Sequence, residues 1–286
     1  MKKTGIAKMT AVAAAVGGAV LLKKQAEKNK MAKAGYSVEE VELYRDGMKI
    51  CGQLFVSEKE EKQPLVIMSH GFGANMRSMK GYAKMFAEDG IAAFIYDFIG
   101  GGVMSRSDGK MSEMSVLTEA EDLNTVLDHF RDDERFDRER IFLMGASQGG
   151  FVSTYVGGKR PEDVAGLIVL YPAYVIHDDT RKRVPDTEKI PDTMHIMGMK
   201  VGSIYNRDAL SFDIYQLMKE YPKKVLIIHG SDDSIVPYSY SERAKNTFAD
   251  AQLIRIEGAN HGFGGKAAIY SGNLSLQFVK KILQEG

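Results

Sequence analysis

A single serine stands among residues with very small side chains in the stretch FLMGASQGGF, residues 142–151. Glycine inside regular structure costs roughly 0.5–1 kcal/mol relative to alanine, so this clustering calls for a physical reason. Residues 145–149, GASQG, match G-x-S-x-G, a pattern that places a nucleophilic serine on a strained turn between a strand and a helix. An apolar run precedes Ser147 and a helical pattern follows it. We therefore predict that Ser147 is a nucleophile; the alternative is a turn whose glycines only allow close helix packing.

A serine hydroxyl becomes an effective nucleophile when a base lies beside it and an acid orients that base. In this strand–turn–helix setting the three residues follow the order serine, acid, histidine. The stretch EGANHGF supplies His261 after the last predicted strand, and HGSDDSIVP supplies Asp232 and Asp233 after the strand before it. His261 is the predicted general base, with a surface loop histidine as the alternative. Two adjacent residues at an extended strand end point in opposite directions, so only one of these aspartates can face His261.

Two backbone N–H groups are also needed to hold the negative charge that develops on a substrate oxygen. One belongs to the residue after the nucleophile, Gln148, and the other to the loop after the third strand. In SHGFGAN, Phe72 lies between two glycines that would let the backbone approach a substrate. We predict that Phe72 and Gln148 form this oxyanion hole; the alternative for Phe72 is an apolar pocket wall. His70 and His229 each close a buried strand just before a glycine, and we expect structural roles for both.

The composition excludes several other classes of protein and site. The chain has 286 residues, with 38 Lys and Arg against 38 Asp and Glu, so no basic excess points to nucleic acid. Cys51 is the sole cysteine, which rules out an intrachain disulfide and a cysteine-rich zinc site. We expect a small-molecule substrate and neither a cofactor nor a metal. The sequence leaves the oligomeric state open.

Continuous apolar runs alternate with helical patterns along the rest of the chain. Runs that are apolar on both faces belong in parallel sheets covered by helices. Earlier in the chain, an alternating pattern on both sides of Asp46-Gly47 predicts a β-hairpin whose turn is formed by these two residues. The fold is therefore predicted as α/β, with a mostly parallel eight-stranded sheet flanked by helices. In the helical pattern SVLTEAEDLNTVLDHFRD, we expect the acidic residues Glu119, Glu121 and Asp122 to form a solvated face.

Two segments depart from this alternation. About residues 173–217 show neither a clear strand nor a long amphipathic helix, and a structureless loop of that length is improbable inside a domain. We interpret them as a cap inserted into a domain that covers residues 36–286. Its methionines could line a pocket or simply fill space.

Residues 1–35 form the second segment, which is apolar and basic. The apolar tract Met9–Leu22 is shorter than the ~20 residues of a transmembrane helix, and lysines follow it. We expect an uncleaved membrane-associating segment with the catalytic domain in the cytoplasm. The alternatives are a cleaved signal, a loose or packed helix, and a soluble cytoplasmic protein.

From about Val38 to the C-terminus the chain resembles the α/β-hydrolase superfamily, and within it the cinnamoyl/feruloyl esterase-like branch near the serine-aminopeptidase-like group. The resemblance is carried by SHGFGAN, YDFIGGG with SDGK, GASQGG, HGSDDSIVP and EGANHGF. It selects Asp233 as the acid and implies hydrolysis of esters, often of an aromatic acid held under a short cap. The loop GGGVMSRSDGK departs from the family, because relatives often carry G-H-G-x-S there. Asp179 lies where relatives place a cap residue that contacts substrate; a solvent-exposed acid is the alternative.

The sequence thus predicts a serine hydrolase that cleaves carboxylic esters through Ser147, His261 and Asp233. The same residues could instead act on amide, thioester or lipid substrates. A non-catalytic binding protein on this fold is the remaining alternative, since fold alone does not fix function.

Overall fold

The computed structural model describes residues 29, 31, 33–57 and 62–285. Within them ten strands and eight α-helices alternate along the chain. The strands are β1 (Tyr36–Arg45), β2 (Met48–Ser57), β3 (Gln63–Ser69), β4 (Ala92–Tyr96), β5 (Phe136–Ala146), β6 (Gly166–Leu170), β7 (Thr193–Ile196), β8 (Met199–Gly202), β9 (Lys224–Gly230) and β10 (Asp250–Ile256). The helices are α1 (Lys80–Glu88), α2 (Val116–Asp132), α3 (Gln148–Lys159), α4 (Ile176–Arg183), α5 (Ser203–Ala209), α6 (Ile214–Glu220), α7 (Ser239–Thr247) and α8 (Gly265–Glu285).

Eight of the strands form one sheet in the order β1-β2-β4-β3-β5-β6-β9-β10. The pairs β1–β2 and β2–β4 are antiparallel, and every other pair in this sheet is parallel. The turn between β1 and β2 is tight because Asp46 and Gly47 both adopt positive φ, 51° and 78°. The prediction of a mostly parallel eight-stranded α/β sheet is confirmed.

Helices cover both faces of this sheet, as the doubly apolar strands require. Along β3, Leu65 and Ile67 pack into the core beneath α2 and α3, whereas Val66 and Met68 pack into the core beneath α1 and α8. Successive side chains of a strand point to opposite faces, so one short run of residues supplies both cores. The carboxyl ends of β3, β5 and β9 are thereby fixed from two sides.

Residues between β6 and β9 form a compact layer with short elements of its own. It contains α4, the β7–β8 hairpin, α5 and α6. Met114 on the loop before α2 packs with Val201 and Tyr205 in a small third core, which joins this layer to the rest of the fold. This segment is called the cap below.

Two expectations from the sequence are wrong. Of the three acidic residues expected on a solvated face of α2, only Glu121 is exposed, whereas Glu119 and Asp122 are 1% and 0% exposed. Glu119 accepts a hydrogen bond from the side chain of Gln148, and Asp122 accepts one from the backbone N–H of Ile99, contacts that helical periodicity does not reveal.

The expected membrane association is also corrected. Among the residues that the structure describes, no helix combines the length and the apolar character needed to cross a bilayer. The tract Met9–Leu22, on which that expectation rested, lies outside the described residues.

Candidate active site

Ser147 lies on a strained turn between β5 and α3. Its backbone angles are φ 52° and ψ −117°, a conformation that costs a non-glycine residue about 1–3 kcal/mol. The turn closes because its neighbours lack side chains. A Cβ added to Gly145 would lie 2.1 Å from the carbonyl oxygen of Gly149, and one added to Gly149 would lie 2.3 Å from that of Ser69. The glycines that surround Ser147 are therefore a steric requirement of the turn.

A continuous hydrogen-bonded series joins the serine, the histidine and one aspartate. The Ser147 Oγ lies 2.9 Å from Nε2 of His261, and Nδ1 of His261 lies 2.7 Å from Oδ2 of Asp233. The three residues come from the ends of β5, β9 and β10, which the parallel sheet brings to one edge. Asp232 is exposed and points elsewhere, where it accepts a hydrogen bond from the hydroxyl of Ser231.

The carboxylate of Asp233 is fully enclosed and fully hydrogen-bonded. Its side chain is 0% exposed, and its Oδ1 accepts from the backbone N–H groups of Ile235 and Val236 at 2.9 and 2.8 Å. Burial alone would raise the pKa of Asp233. The hydrogen bonds from His229, His261 and the two amides outweigh it, so the pKa lies well below its usual range. Asp233 is accordingly a carboxylate at any pH where the protein would be assayed.

His229 is a second histidine on the same carboxylate. Its Nε2 lies 3.0 Å from Oδ2 of Asp233 and 3.0 Å from the carbonyl oxygen of Val236. Both are acceptors, so Nε2 carries a proton, and Nδ1 lies 2.6 Å from the hydroxyl of Ser241. Sequence reasoning gave His229 only a structural role. The spacing of four residues from Asp233 is the one sequence signal for this contact.

The two predicted oxyanion residues, Phe72 and Gln148, line the same cavity as Ser147 and His261. The loop that carries Phe72 lies against the serine, since a Cβ added to Gly71 would be 3.1 Å from Cβ of Ser147. Gln148 is the first residue of α3, and its N–H therefore has no partner within the helix. Helix N-termini also favour negative charge.

His70 fixes the peptide that precedes Phe72. Burial lowers the pKa of His70, so the imidazole is neutral. Its Nε2 accepts from the N–H of Phe98 at 3.2 Å, which leaves the proton on Nδ1, 2.9 Å from the carbonyl oxygen of Gly71. A donated bond to that oxygen holds the peptide plane whose N–H belongs to Phe72. The structural role expected for His70 thus includes the geometry of this loop.

A cavity of about 290 Å³ opens at the serine and runs beneath the cap. Its wall is mostly apolar, with Val175, Ile176 and Ile196 contributed by the cap. Tyr171 lies at its base and packs edge-on against the ring of His261, with 4.8 Å between ring centroids. The wall also includes Asp179, so this acid faces the cavity as well as solvent.

A family model described as "Serine aminopeptidase, S33" matches residues 60–208, just over half of the chain. The chain belongs to this family. The match includes Ser147, Phe72 and Gln148, and it ends before Asp233 and His261. Together with the structural neighbours below, it places the protein in the feruloyl-esterase-like branch of the α/β-hydrolases.

Three relatives illustrate the breadth of the similarity. Est1E from Butyrivibrio proteoclasticus, solved with ferulic acid bound, superposes with a TM-score of 0.76 at 27% identity, covering 86% of this chain and 98% of that one. The "Putative esterase YitV" of Bacillus subtilis is 26% identical over 224 residues, 71% of this chain and 86% of YitV. The "Uncharacterized 31.7 kDa protein in traX-finO intergenic region" of Escherichia coli is 34% identical over 96 residues, and this chain spans only 32% of its length.

Proposed function

We propose that the protein is a serine hydrolase that cleaves carboxylic esters through a covalent acyl-enzyme. The observation that carries the proposal is the unbroken series from the Ser147 hydroxyl through His261 to the enclosed Asp233 carboxylate. Such a series is the arrangement that activates a serine for attack on a carbonyl carbon. Its position on a strained turn at a helix N-terminus, at the mouth of an apolar cavity, supports the same role.

Each group has a defined part in the proposed reaction. Ser147 attacks the ester carbonyl while Nε2 of His261 takes the hydroxyl proton, and Asp233 stabilises the imidazolium that results. The N–H groups of Phe72 and Gln148 hold the oxygen of the tetrahedral intermediate. His261 then donates its proton to the departing alcohol. A water molecule, deprotonated by His261, then attacks the acyl carbon. The bond to the Ser147 oxygen breaks, and His261 returns the proton to that oxygen as the acid leaves.

The character of the cavity supports a substrate with a modest apolar acyl group. Its wall is mainly apolar, and its volume of about 290 Å³ suits a small acyl group rather than a long chain. Est1E, which has 27% sequence identity to this chain, binds ferulic acid. We infer that esters of aromatic or short aliphatic acids are the substrates.

Amide cleavage is a second candidate, favoured by the aminopeptidase description of the matching family. The same three residues can cleave either bond, and a substrate panel separates the two. The panel consists of p-nitrophenyl acetate, butyrate and octanoate, methyl ferulate, and alanine p-nitroanilide.

We expect the ester substrates to be hydrolysed at least tenfold faster than the anilide. Ser147→Ala should lose about 10³-fold or more in kcat on every active substrate. A folded Ser147→Ala protein with wild-type activity would contradict the mechanism. A preference for the anilide would keep the mechanism and overturn the ester assignment.

A further inference from the structure

The side chain of Gln148 is held on both sides by hydrogen bonds that the proposed mechanism does not use. Its Nε2 donates to Oε2 of Glu119 at 2.8 Å, and its Oε1 accepts from the hydroxyl of Tyr205 at 2.7 Å. All three side chains are buried, at 1% exposure for Glu119 and Gln148 and 3% for Tyr205. These contacts join three separate elements: α2 in the scaffold, the start of α3 beside the nucleophile, and α5 in the cap.

Tyr205 also contacts the other predicted oxyanion residue. Its ring packs edge-on against the ring of Phe72, with 5.6 Å between centroids. One cap residue therefore contacts both residues whose N–H groups are proposed to hold the oxyanion. It does so with different atoms, the hydroxyl for Gln148 and the ring for Phe72.

A second contact fixes the cap to the helix that carries Glu119. The hydroxyl of Ser115, at the N-terminus of α2, donates to Oδ2 of Asp208 on α5 at 2.5 Å. Tyr205 and Asp208 lie on the same helix of the cap, three residues apart. The position of α5 relative to the scaffold is thus set at two points, and one of them is the side chain of Gln148.

From these contacts we propose that Glu119 and Tyr205 are positioning residues, which hold the oxyanion hole in its working geometry and make that geometry depend on a seated cap. This inference rests on the proposed hydrolase function. A displaced cap would release the carboxamide of Gln148 and the ring of Phe72 together. The hydrolase would then be fully active only when the cap is closed over the acyl group.

Glu119 acts here through its shape and its acceptor oxygen, which Gln148 contacts. Burial raises the pKa of Glu119 well above its usual range, the hydrogen bond from Gln148 opposes this, and nearby Asp122 adds to it. Burial therefore favours the neutral form of this carboxyl. Its other oxygen, Oε1, has no hydrogen-bond partner in the described part of the chain. A neutral amide of the same shape should serve equally well at this position.

Four variants test the proposal. Tyr205→Phe removes only the hydroxyl. Glu119→Met replaces the carboxyl group, and with it the acceptor oxygen, by an apolar thioether of similar length. Glu119→Gln keeps an acceptor for Gln148 and is the conservative rescue. Tyr215→Phe is the matched control, because Tyr215 is also a buried tyrosine of the cap and its hydroxyl has no hydrogen-bond partner within the described residues.

The assay measures kcat and KM on p-nitrophenyl butyrate, together with the Ki of an alkyl trifluoromethyl ketone. This ketone forms a reversible hemiketal with a reactive serine, and its oxyanion occupies the oxyanion hole. Removing an oxyanion donor outright costs about 10²–10³ in kcat, so misplacing one should cost about 5–50-fold. We expect that loss in Tyr205→Phe and Glu119→Met, with KM within about twofold of wild type.

The Ki of the ketone should rise in proportion to the fall in kcat/KM, because both report on the transition state. Glu119→Gln should keep most of the wild-type kcat, and Tyr215→Phe should match the wild type in both parameters.

Three results would overturn the inference. In the first, Tyr205→Phe keeps the wild-type kcat and Ki, so the hydroxyl positions nothing. In the second, Tyr205→Phe raises KM alone, which would make Tyr205 a substrate contact. In the third, the wild type neither hydrolyses an ester nor reacts with the ketone, and then the proposed function fails as well. An active wild type with unaffected variants refutes the positioning role alone.

Discussion

Replacing Asp233 by asparagine is the change that tests the geometry of the site most severely. Asparagine keeps the shape of the side chain and exchanges one oxygen for an amino group. Oδ1 accepts from the N–H groups of Ile235 and Val236, and Oδ2 faces the ring nitrogens of His229 and His261. The oxygen of an asparagine must stay with the two amides, because the amino group would otherwise oppose two N–H donors.

The amino group therefore faces the two imidazoles, at positions where each histidine donates a hydrogen bond to Asp233 in the wild type. A donor opposite Nδ1 of His261 favours the tautomer with its proton on Nε2, which can no longer accept a proton from Ser147. The same substitution in another serine hydrolase costs on the order of 10⁴ in kcat, about 5.5 kcal/mol of transition-state stabilisation. We expect a similar loss for Asp233→Asn. Against His229 the amino group opposes a second donor, which should destabilise the fold by about 1–3 kcal/mol.

Asp232→Asn is the matched control, since Asp232 is adjacent and exposed, and among the described residues its side chain hydrogen-bonds only Ser231. It should lower kcat by less than about tenfold, because an exposed hydrogen bond contributes only about 1 kcal/mol. Both variants are compared with the wild type in kcat on p-nitrophenyl butyrate, and thermal melting establishes that each is folded. Asp233 would not be the acid that orients His261 if the folded Asp233→Asn protein kept more than about a tenth of the wild-type kcat. The same conclusion would follow if Asp232→Asn were the variant that lost most of its activity.

Three further predictions follow from individual contacts. Gly149→Ala should destabilise the fold by about 1–3 kcal/mol in chemical denaturation, because the alanine Cβ would lie 2.3 Å from the carbonyl oxygen of Ser69. Gly264→Ala is the control and should leave the stability unchanged, because the space around Gly264 is open. Burial raises the pKa of Asp122 to about 7 despite an opposing arginine, while an unfolded aspartate titrates near 4. Between about pH 4 and 7, Asp122 is therefore protonated in the folded state and ionised in the unfolded state. The unfolding free energy of the wild type should fall relative to that of Asp122→Asn as pH rises through that interval. Parallel plots of unfolding free energy against pH for the two proteins would contradict this. Asp179→Asn should raise KM for methyl ferulate by about 3- to 10-fold, the cost of one hydrogen bond, and an unchanged KM would place Asp179 outside the substrate contacts.

The sheet was predictable from the sequence because its strands are apolar on both faces. Runs such as PLVIMSH and KVLIIHGS have few alternatives to a buried parallel strand, and β3 and β9 lie where these runs occur. Turn chemistry predicted the first hairpin in the same way. Patterns of this kind depend only on neighbouring residues, so they can be read without knowledge of the tertiary contacts.

Features that depend on distant residues could not be predicted. Glu119 and Asp122 have the helical spacing of an exposed acidic face, and only their partners in other elements explain their burial. The β7–β8 hairpin is only four residues long in each strand, too short for an alternating pattern to stand out. The contact of His229 with Asp233 likewise needs the loop after β9 to turn back on the strand.

The central claim is that the hydroxyl of Ser147 is the nucleophile of an ester hydrolase, and covalent labelling tests it most directly. The protein is treated with a fluorophosphonate, which reacts with activated serines, and its intact mass and the modified peptide are determined. We predict one adduct per chain, on Ser147, formed at the same rate as activity on p-nitrophenyl butyrate is lost. The adduct should be absent from Ser147→Ala, and its formation should be strongly slowed in Asp233→Asn. A wild-type protein that hydrolyses the ester but carries no adduct on Ser147, or carries it on another residue, would contradict the account.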